Sequence, residues 1–203
     1  MNIHSALAMS PATARADEGD KRSAILAAAL DLIVERGYYG TAVPAVAERA
    51  GVGAGTIYRY FKSKEDLVNG LYRQCKTALT THVLLGISPD GPAREQFHLL
   101  WTRLADFFRK NPNVFSFLEL HHHASYLDDE SRAMERRVLD LATSFVVKMQ
   151  AARVFKPIEP EILMAIVYWS FVGLGRCEKE GRLTLTDEHL AEAEQCVWEA
   201  IRL

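Results

Sequence analysis

The segment that most constrains this chain spans residues 51–67 and combines a glycine-rich turn, a short helix and the start of a longer helix. Its sequence is GVGAGTIYRYFKSKEDL. Two segments with helical periodicity precede it, at residues 21–36 and 43–50, so the short helix is the third of a compact N-terminal bundle. This order of elements is typical of a helix-turn-helix whose short helix enters the major groove of DNA.

The short helix divides into an inward and an outward set of side chains. Ile57 and Phe61 recur at helical spacing and are predicted to pack inward. Their predicted partners in the preceding helix and turn are Val46, Ala47, Ala50 and Val52. The outward set is polar, aromatic or very small, and packing alone does not explain it. We therefore predict contact with DNA by Thr56, Tyr58, Arg59 and Tyr60.

Charge supports this prediction locally and not globally. The whole chain has a formal net charge of −2, which by itself does not indicate a nucleic-acid binder. Residues 49–64, however, contain Arg49, Arg59, Lys62 and Lys64 and no acidic residue. Phosphate contact needs such a local patch more than an overall positive charge.

Over residues 21–71 the chain resembles the TetR family of bacterial transcriptional repressors. The resemblance is carried by Ile25, Ala28, Ala29, Leu32, Gly37, Thr41, residues 46–52 and residues 56–67. It implies that Ala54, Gly55 and Tyr58 approach base edges. It also implies that Thr56, Arg59, Tyr60 and Lys64 hold phosphates, and the fork of Arg59 also matches the two acceptors of a guanine.

Some positions differ from the family pattern. Ala42 stands where a Ser or Thr commonly caps the second helix, and Gly53 and Ala54 replace polar residues at the start of the third. Since Ala54 and Gly55 offer only a methyl group or backbone, readout is expected to depend on thymine methyl groups and DNA shape. The operator sequence therefore stays open.

The periodicity predicts an all-α chain in three parts. Residues 1–20 are predicted to be a disordered leader, residues 21–72 a three-helix helix-turn-helix domain, and residues 73–203 a larger helical domain for effector binding and dimerisation. Breaks at Gly and Pro separate the later helices. The predicted spans are 63–84, 93–110, 114–123, 129–153, 160–179 and 187–202.

Aromatic residues are dense in the first helices of the C-terminal domain. Dense aromatics also build ordinary cores, but an apolar cavity with a few polar groups is how small-molecule sites are made. We predict an apolar or aromatic effector bound by Phe97, Trp101, Leu104, Phe108, Phe115, Leu118, His122, Tyr126, Met134, Met164 and Tyr168.

The last two predicted helices carry more apolar residues than one small core uses. In the TetR-like architecture this pair packs against its twin, and small residues permit close approach. The predicted homodimer interface contains Ile166, Trp169, Gly173, Val197, Trp198 and Ile201, although an internal core explains part of this set. A two-fold dimer predicts a palindromic site in double-stranded DNA, with half-sites about 34–36 Å, or a multiple, apart.

The remaining chemistry-bearing residues do not suggest catalysis. His121, His122 and His123 point about 100° apart on a helix and cannot all bind one ion. Three widely spaced cysteines indicate neither a disulfide framework nor a metal site. We predict no cofactor, no metal, no membrane segment and a cytoplasmic location.

The sequence thus predicts a DNA-binding repressor that a small molecule releases from its operator. One alternative is an activator or a non-specific DNA binder with the same N-terminal domain and no effector. A helical enzyme or carrier is a further alternative, but no catalytic constellation supports it.

Overall fold

The structure, a computed structural model, describes residues 11–88, 90–120 and 126–203. Within these residues it contains nine α-helices, and the only strand-like pairing is one isolated bridge between Phe155 and Arg202. The predicted all-α fold is confirmed. The helices are α1 (Pro11–Gly40), α2 (Val43–Arg49), α3 (Ala54–Tyr60), α4 (Lys64–Leu84), α5 (Ala93–Lys110), α6 (Pro112–Leu120), α7 (Asp129–Ala151), α8 (Pro160–Lys179) and α9 (Asp187–Ile201).

The chain divides into two compact units, unit 1 (Met1–Leu71) and unit 2 (Tyr72–Leu203). The predicted domain boundary lies one residue from this division. Helix α4 begins in unit 1 and ends in unit 2.

Helix α1 is longer than predicted at its N-terminal end. It begins at Pro11, so the prediction of a disordered leader is wrong for residues 11–20, and residues 1–10 lie outside the described part. Gly37 interrupts the helical geometry of α1, with φ 72° and ψ 171°. A positive φ of this size favours glycine, which has no Cβ. The helix then resumes to Gly40.

The core of unit 1 holds α3 in place. One face of α1 is fully buried through Ile25, Leu26, Ala29, Leu32 and Ile33. From α2 and α3, the predicted inward residues Val46, Ala47 and Ile57 join this core, and Phe61 follows directly after α3. Ala50 and Val52, also predicted to face inward, are only half-buried. Pro44 lies in the first turn of α2, where its missing N–H is tolerated.

Most helices of unit 2 lie close to their predicted spans. Helices α5 and α8 match the predictions at both ends. Helix α7 ends two residues early, because the chain turns sharply before Arg153, which adopts a φ of 57°. Helix α6 begins two residues early, at Pro112, and the end of its predicted span falls in residues outside the description.

Aromatic rings form the centre of unit 2. Trp101 on α5 is 1% exposed, and its ring meets Phe171 of α8 edge-on at 5.5 Å between centroids. Its Nε1 donates a hydrogen bond of 2.9 Å to the carbonyl of Leu190 on α9. Phe108 of α5 packs against Phe115 of α6 at 4.7 Å. These contacts tie α5 to α6, α8 and α9.

The close contact between α6 and α8 gives a stability prediction. A Cβ added at Gly175 would lie 2.6 Å from Cζ of Phe115. We expect Gly175→Ala to lower the free energy of unfolding by about 1–3 kcal/mol, because the buried ring must move. Urea denaturation measures this change. Gly55→Ala is the control, since its Cβ meets no atom within 4 Å, and an equal loss in both variants would contradict the steric explanation.

Candidate DNA-binding and effector sites

Helix α3 presents the predicted base-contacting residues on the surface of unit 1. It begins after Gly53, an N-cap with extended backbone and no side-chain hydrogen bond. Ala54 and Gly55 are exposed, and Tyr58 is 57% exposed. On the opposite face, Ile57 is 1% exposed and fixes the helix to the core. The N-terminal half of α3 is therefore available to a groove.

Arg59 and Tyr60 are arranged differently from the prediction. The Arg59 guanidinium lies 5.9 Å from the centre of the Tyr60 ring, within the range of a cation–π contact. The Tyr60 hydroxyl is buried and has no hydrogen-bond partner among the described residues. It is not placed to donate to a phosphate, contrary to the prediction. The Tyr60 ring instead supports the exposed Arg59 side chain.

Side-chain hydrogen bonds cap the start of α4. The Ser63 hydroxyl accepts a hydrogen bond of 3.2 Å from the Asp66 amide, as a helix cap does. The Asp66 carboxylate accepts a hydrogen bond of 2.8 Å from the Lys62 amide. This pair fixes the backbone from which Lys64 projects.

Tyr38 positions Lys64, a role that the sequence prediction missed. The Lys64 ammonium lies 4.1 Å from the centre of the Tyr38 ring, and the Tyr38 hydroxyl donates a 2.9 Å hydrogen bond to Glu65. Burial, and then the Glu65 carboxylate, raises the pKa of Tyr38 to about 12. Burial also lowers the pKa of Lys64. The available sequence signal was the aromatic pair that follows Gly37.

The basic patch is smaller than its sequence suggests. Arg49 forms two hydrogen bonds with the Glu35 carboxylate, of 3.0 and 3.1 Å. This pairing compensates one of the four positive charges that the sequence places near α3. Arg59 and Lys62 are exposed and Lys64 is half-buried, and these three carry the remaining positive charge of the segment.

The predicted effector residues lie in unit 2 with two degrees of burial. Those on α5 and α6 are buried core residues, namely Phe97, Trp101, Leu104, Phe108, Phe115 and Leu118. Those on α7 and α8, and the one just before α7, are half-buried, namely Tyr126, Met134, Met164 and Tyr168. His122 lies outside the described residues. The effector site stays a prediction.

Two acidic residues that the sequence prediction did not include lie beside these half-buried residues. The Glu119 carboxyl on α6 interacts with the Tyr168 hydroxyl, and burial raises the pKa of Glu119. Glu135 on α7 interacts with the hydroxyl of Tyr72, and burial is the main reason that the pKa of Tyr72 rises. The isolated positions of Glu119 and Glu135 in the sequence gave no sign of these contacts.

The predicted dimer residues separate into exposed and internal sets. Trp169 is 61% exposed and Gly173 is also exposed, whereas Ile166 is half-buried. Val197 and Ile201 are buried inside their own subunit, so the prediction that they form a dimer surface needs correction.

Trp198 is also engaged within its own subunit. Its half-buried ring packs on Phe97 at 5.4 Å and on Phe155 at 6.0 Å. The candidate interface is therefore the exposed face of α8 around Trp169.

The described residues form neither a cluster of metal-ligating side chains nor a membrane-spanning helix. These residues contain no group of three or more His, Cys, Asp or Glu side chains that could hold a metal ion. His121, His122 and His123 lie outside the described residues. Among the described helices, none is long and apolar enough to cross a membrane.

Comparison with known proteins covers both units. Residues 25–71 match the family model described as bacterial regulatory proteins, tetR family. Residues 72–203 match the tetracyclin repressor-like, C-terminal domain. The fatty acid metabolism regulator protein of Bacillus subtilis is 30% identical over 104 residues, which is 51% of this chain and 54% of that protein.

Solved structures show the same fold. A TetR family transcription regulator from Marinobacter aquaeolei superposes with a TM-score of 0.83 at 24% identity, over 93% of this chain and 98% of that one. The regulator FadR from Bacillus subtilis, solved in complex with stearoyl-CoA, gives 0.68 at 20% identity, over 87% and 95%. With both units matched, the chain belongs to the tetR family of bacterial regulatory proteins and is a DNA-binding transcriptional regulator.

Proposed function

We propose that this protein is a cytoplasmic repressor that binds a palindromic operator as a homodimer and leaves it when a small effector binds unit 2. The observation that carries the DNA-binding part is the exposure of Ala54, Gly55 and Tyr58 on a helix held by buried Ile57. Arg59 and Lys64, each beside a tyrosine ring, supply charge for phosphates or a guanine.

The exposed face of α8 supports the dimer. Trp169 is 61% exposed and leaves a large apolar surface in water. Ile162, two helical turns earlier on α8, is also exposed. Aromatic side chains buried at the centre of an interface commonly dominate its binding energy. A two-fold axis at Trp169 would bring the same face of two subunits together and give two copies of α3.

The aromatic interior of unit 2 supports an effector with an apolar body. A ligand enclosed among the rings of α5, α6 and α8 would be bound by apolar contact. The relative FadR, which was solved with stearoyl-CoA, shows that a protein of this fold takes a ligand with a long apolar part. Release from DNA then requires only that the effector binds one dimer conformation more tightly than the other.

The dimer part of this proposal predicts a large effect of charge at Trp169. We expect Trp169→Glu to raise the dimer dissociation constant about 30-fold or more, because a central aromatic contributes about 2 kcal/mol or more. Analytical ultracentrifugation measures the change. Leu139→Glu adds the same charge at an exposed apolar position of α7 and is the control. An unchanged dimer in Trp169→Glu would place the interface elsewhere.

In vitro transcription tests the repressor part. The template is a promoter that carries an operator sequence selected by the protein from a random duplex library. Its transcription is expected to fall when the protein is added and to recover when an effector binds. Increased transcription on addition of the protein would instead identify an activator. Equal binding to all duplexes would identify a non-specific DNA binder.

A further inference from the structure

Four helices of unit 2 bring ionisable side chains together in its interior. Glu119 comes from α6, Glu135 from α7 and Tyr168 from α8, and α4 contributes Tyr72 and Lys76. These five residues interact with one another through hydrogen bonds or charge. We call them the Glu119 cluster. Sequence separations of up to about a hundred residues show that the fold, and not local sequence, creates it.

One atom of this cluster is left unsatisfied. Oε1 of Glu119 is buried and has no hydrogen-bond partner among the described residues. A buried polar atom without a partner costs about 1–3 kcal/mol, and proteins seldom retain one without a reason. The Tyr168 hydroxyl interacts with the same carboxyl group and does not satisfy this oxygen. Oε1 is therefore a hydrogen-bond acceptor that no donor among the described residues satisfies.

The charge of the cluster indicates what kind of donor fits. The cluster has two carboxyl groups, Glu119 and Glu135, and one ammonium group, Lys76. The Lys76 ammonium already lies 5.7 Å from the centre of the Tyr72 ring. An additional cation would balance the second carboxyl and could contact the faces of the tyrosine rings. A carboxylate or phosphate group would meet two acidic side chains instead.

We propose that Glu119 binds a protonated nitrogen of the effector, and that the effector is an amine or amidine with an apolar body. The inference rests on the proposed function, in which unit 2 binds an effector. The nitrogen donates to Oε1 of Glu119, and the Tyr168 hydroxyl interacts with the same carboxyl group. The apolar body packs on the aromatic residues of α5 and α6. Charge-assisted hydrogen bonds of this kind are among the stronger polar contacts in proteins.

Ligands with one skeleton and different head groups test the proposal. Phenylbutylamine, phenylbutanol and phenylbutanoate are titrated calorimetrically into the full-length protein, and stearoyl-CoA is titrated alongside. We expect the amine to bind about tenfold or more tightly than the alcohol and the acid, since a hydrogen bond to a charged group contributes about 1.5–3 kcal/mol. Glu119→Gln is expected to remove this preference and leave the affinity for the alcohol unchanged.

Two controls separate the ligand contact from folding. Glu161→Gln neutralises an exposed carboxyl in the first turn of α8 and is expected to keep the preference for the amine. A thermal melt of Glu119→Gln is expected to show an unchanged or higher midpoint, because the substitution neutralises an unsatisfied buried carboxyl.

The following outcomes would overturn the proposal. They are equal binding of amine and acid by the wild-type protein, a preference that survives in Glu119→Gln, and no binding of the amine at millimolar concentration. Release of DNA by stearoyl-CoA, alike in wild type and Glu119→Gln, would also overturn it and leave the proposed function intact. A Glu119-dependent preference for the amine without any release of DNA would support the site and contradict the proposed function.

Discussion

Replacing Arg59 with Ala is expected to weaken operator binding by about 2–6 kcal/mol per dimer, because each guanidinium fork that reads a base contributes about 1–3 kcal/mol. The side chain is exposed near the end of α3, and the Tyr60 ring holds it at 5.9 Å. In the proposed dimer, two-fold symmetry places one copy at each half-site and doubles the loss. Fluorescence anisotropy with a labelled duplex carrying the selected site measures the change at fixed salt concentration.

Arg36→Ala is the matched control for this prediction. Arg36 is an exposed arginine of unit 1 on α1, and its nearest carboxylate is Glu35 at 4.0 Å. We expect its removal to change affinity about twofold or less, through long-range charge alone. Similar affinities for the Arg59 and Arg36 variants would exclude Arg59 as a base-reading residue. A smaller salt dependence in Arg59→Ala, with unchanged sequence preference, would assign Arg59 to phosphate.

Replacing Trp101 with Ala is expected to lower the free energy of unfolding by about 3–5 kcal/mol, because the largest side chain of the core would be lost. Trp101 is 1% exposed and packs on Phe97 and Phe171. The substitution also leaves the Leu190 carbonyl without its Nε1 donor. Urea denaturation at one protein concentration, followed by circular dichroism, measures the change.

Two further variants identify the origin of the Trp101 effect. Trp101→Phe keeps an aromatic ring and loses the hydrogen bond to the Leu190 carbonyl. We expect the loss of that bond to account for about 1 kcal/mol of the decrease in the free energy of unfolding. Leu141→Ala removes a side chain that is 60% exposed on α7 and is expected to change stability by about 0.5 kcal/mol or less. A loss no larger in Trp101→Ala than in Leu141→Ala would contradict the assigned core.

Local sequence signals explain why the helix spans could be predicted. Helix α5 begins after Pro92 and ends at Asn111, and α8 begins at Pro160 and ends just before Gly181. These residues act on the backbone within one turn, so their effect is visible without the fold. Residues 11–20 have no such signal and no apolar stripe. Helix α1 nevertheless extends through residues 11–20, and for this reason periodicity did not predict its first turns.

The orientation of the helix faces was less accessible from sequence. Helices α8 and α9 carry apolar residues on more than one face, and periodicity alone does not decide which face meets the core. Val197 and Ile201 turn inward, whereas Trp169 is left exposed. The buried acceptor on Glu119 also depends on helices that are distant in sequence.

The exposure of the proposed DNA-binding residues was predictable to the extent that it depends on one short helix. Ala54, Gly55 and Tyr58 are exposed because Ile57 between them is buried, and this alternation is legible in the sequence. Pairings across the fold were not legible. Arg49 bonds to Glu35, fourteen residues away, and Lys64 lies against the ring of Tyr38.

The central claim is that a symmetric pair of α3 helices reads DNA. Selection of binding sequences from a random duplex library tests this claim most directly. The wild-type protein is predicted to enrich an inverted repeat whose half-sites are centred about one helical turn, ~34–36 Å, or a multiple, apart. Arg59→Ala is predicted to lose that enrichment. Salt-sensitive binding by the wild-type protein without any enriched motif would contradict the claim.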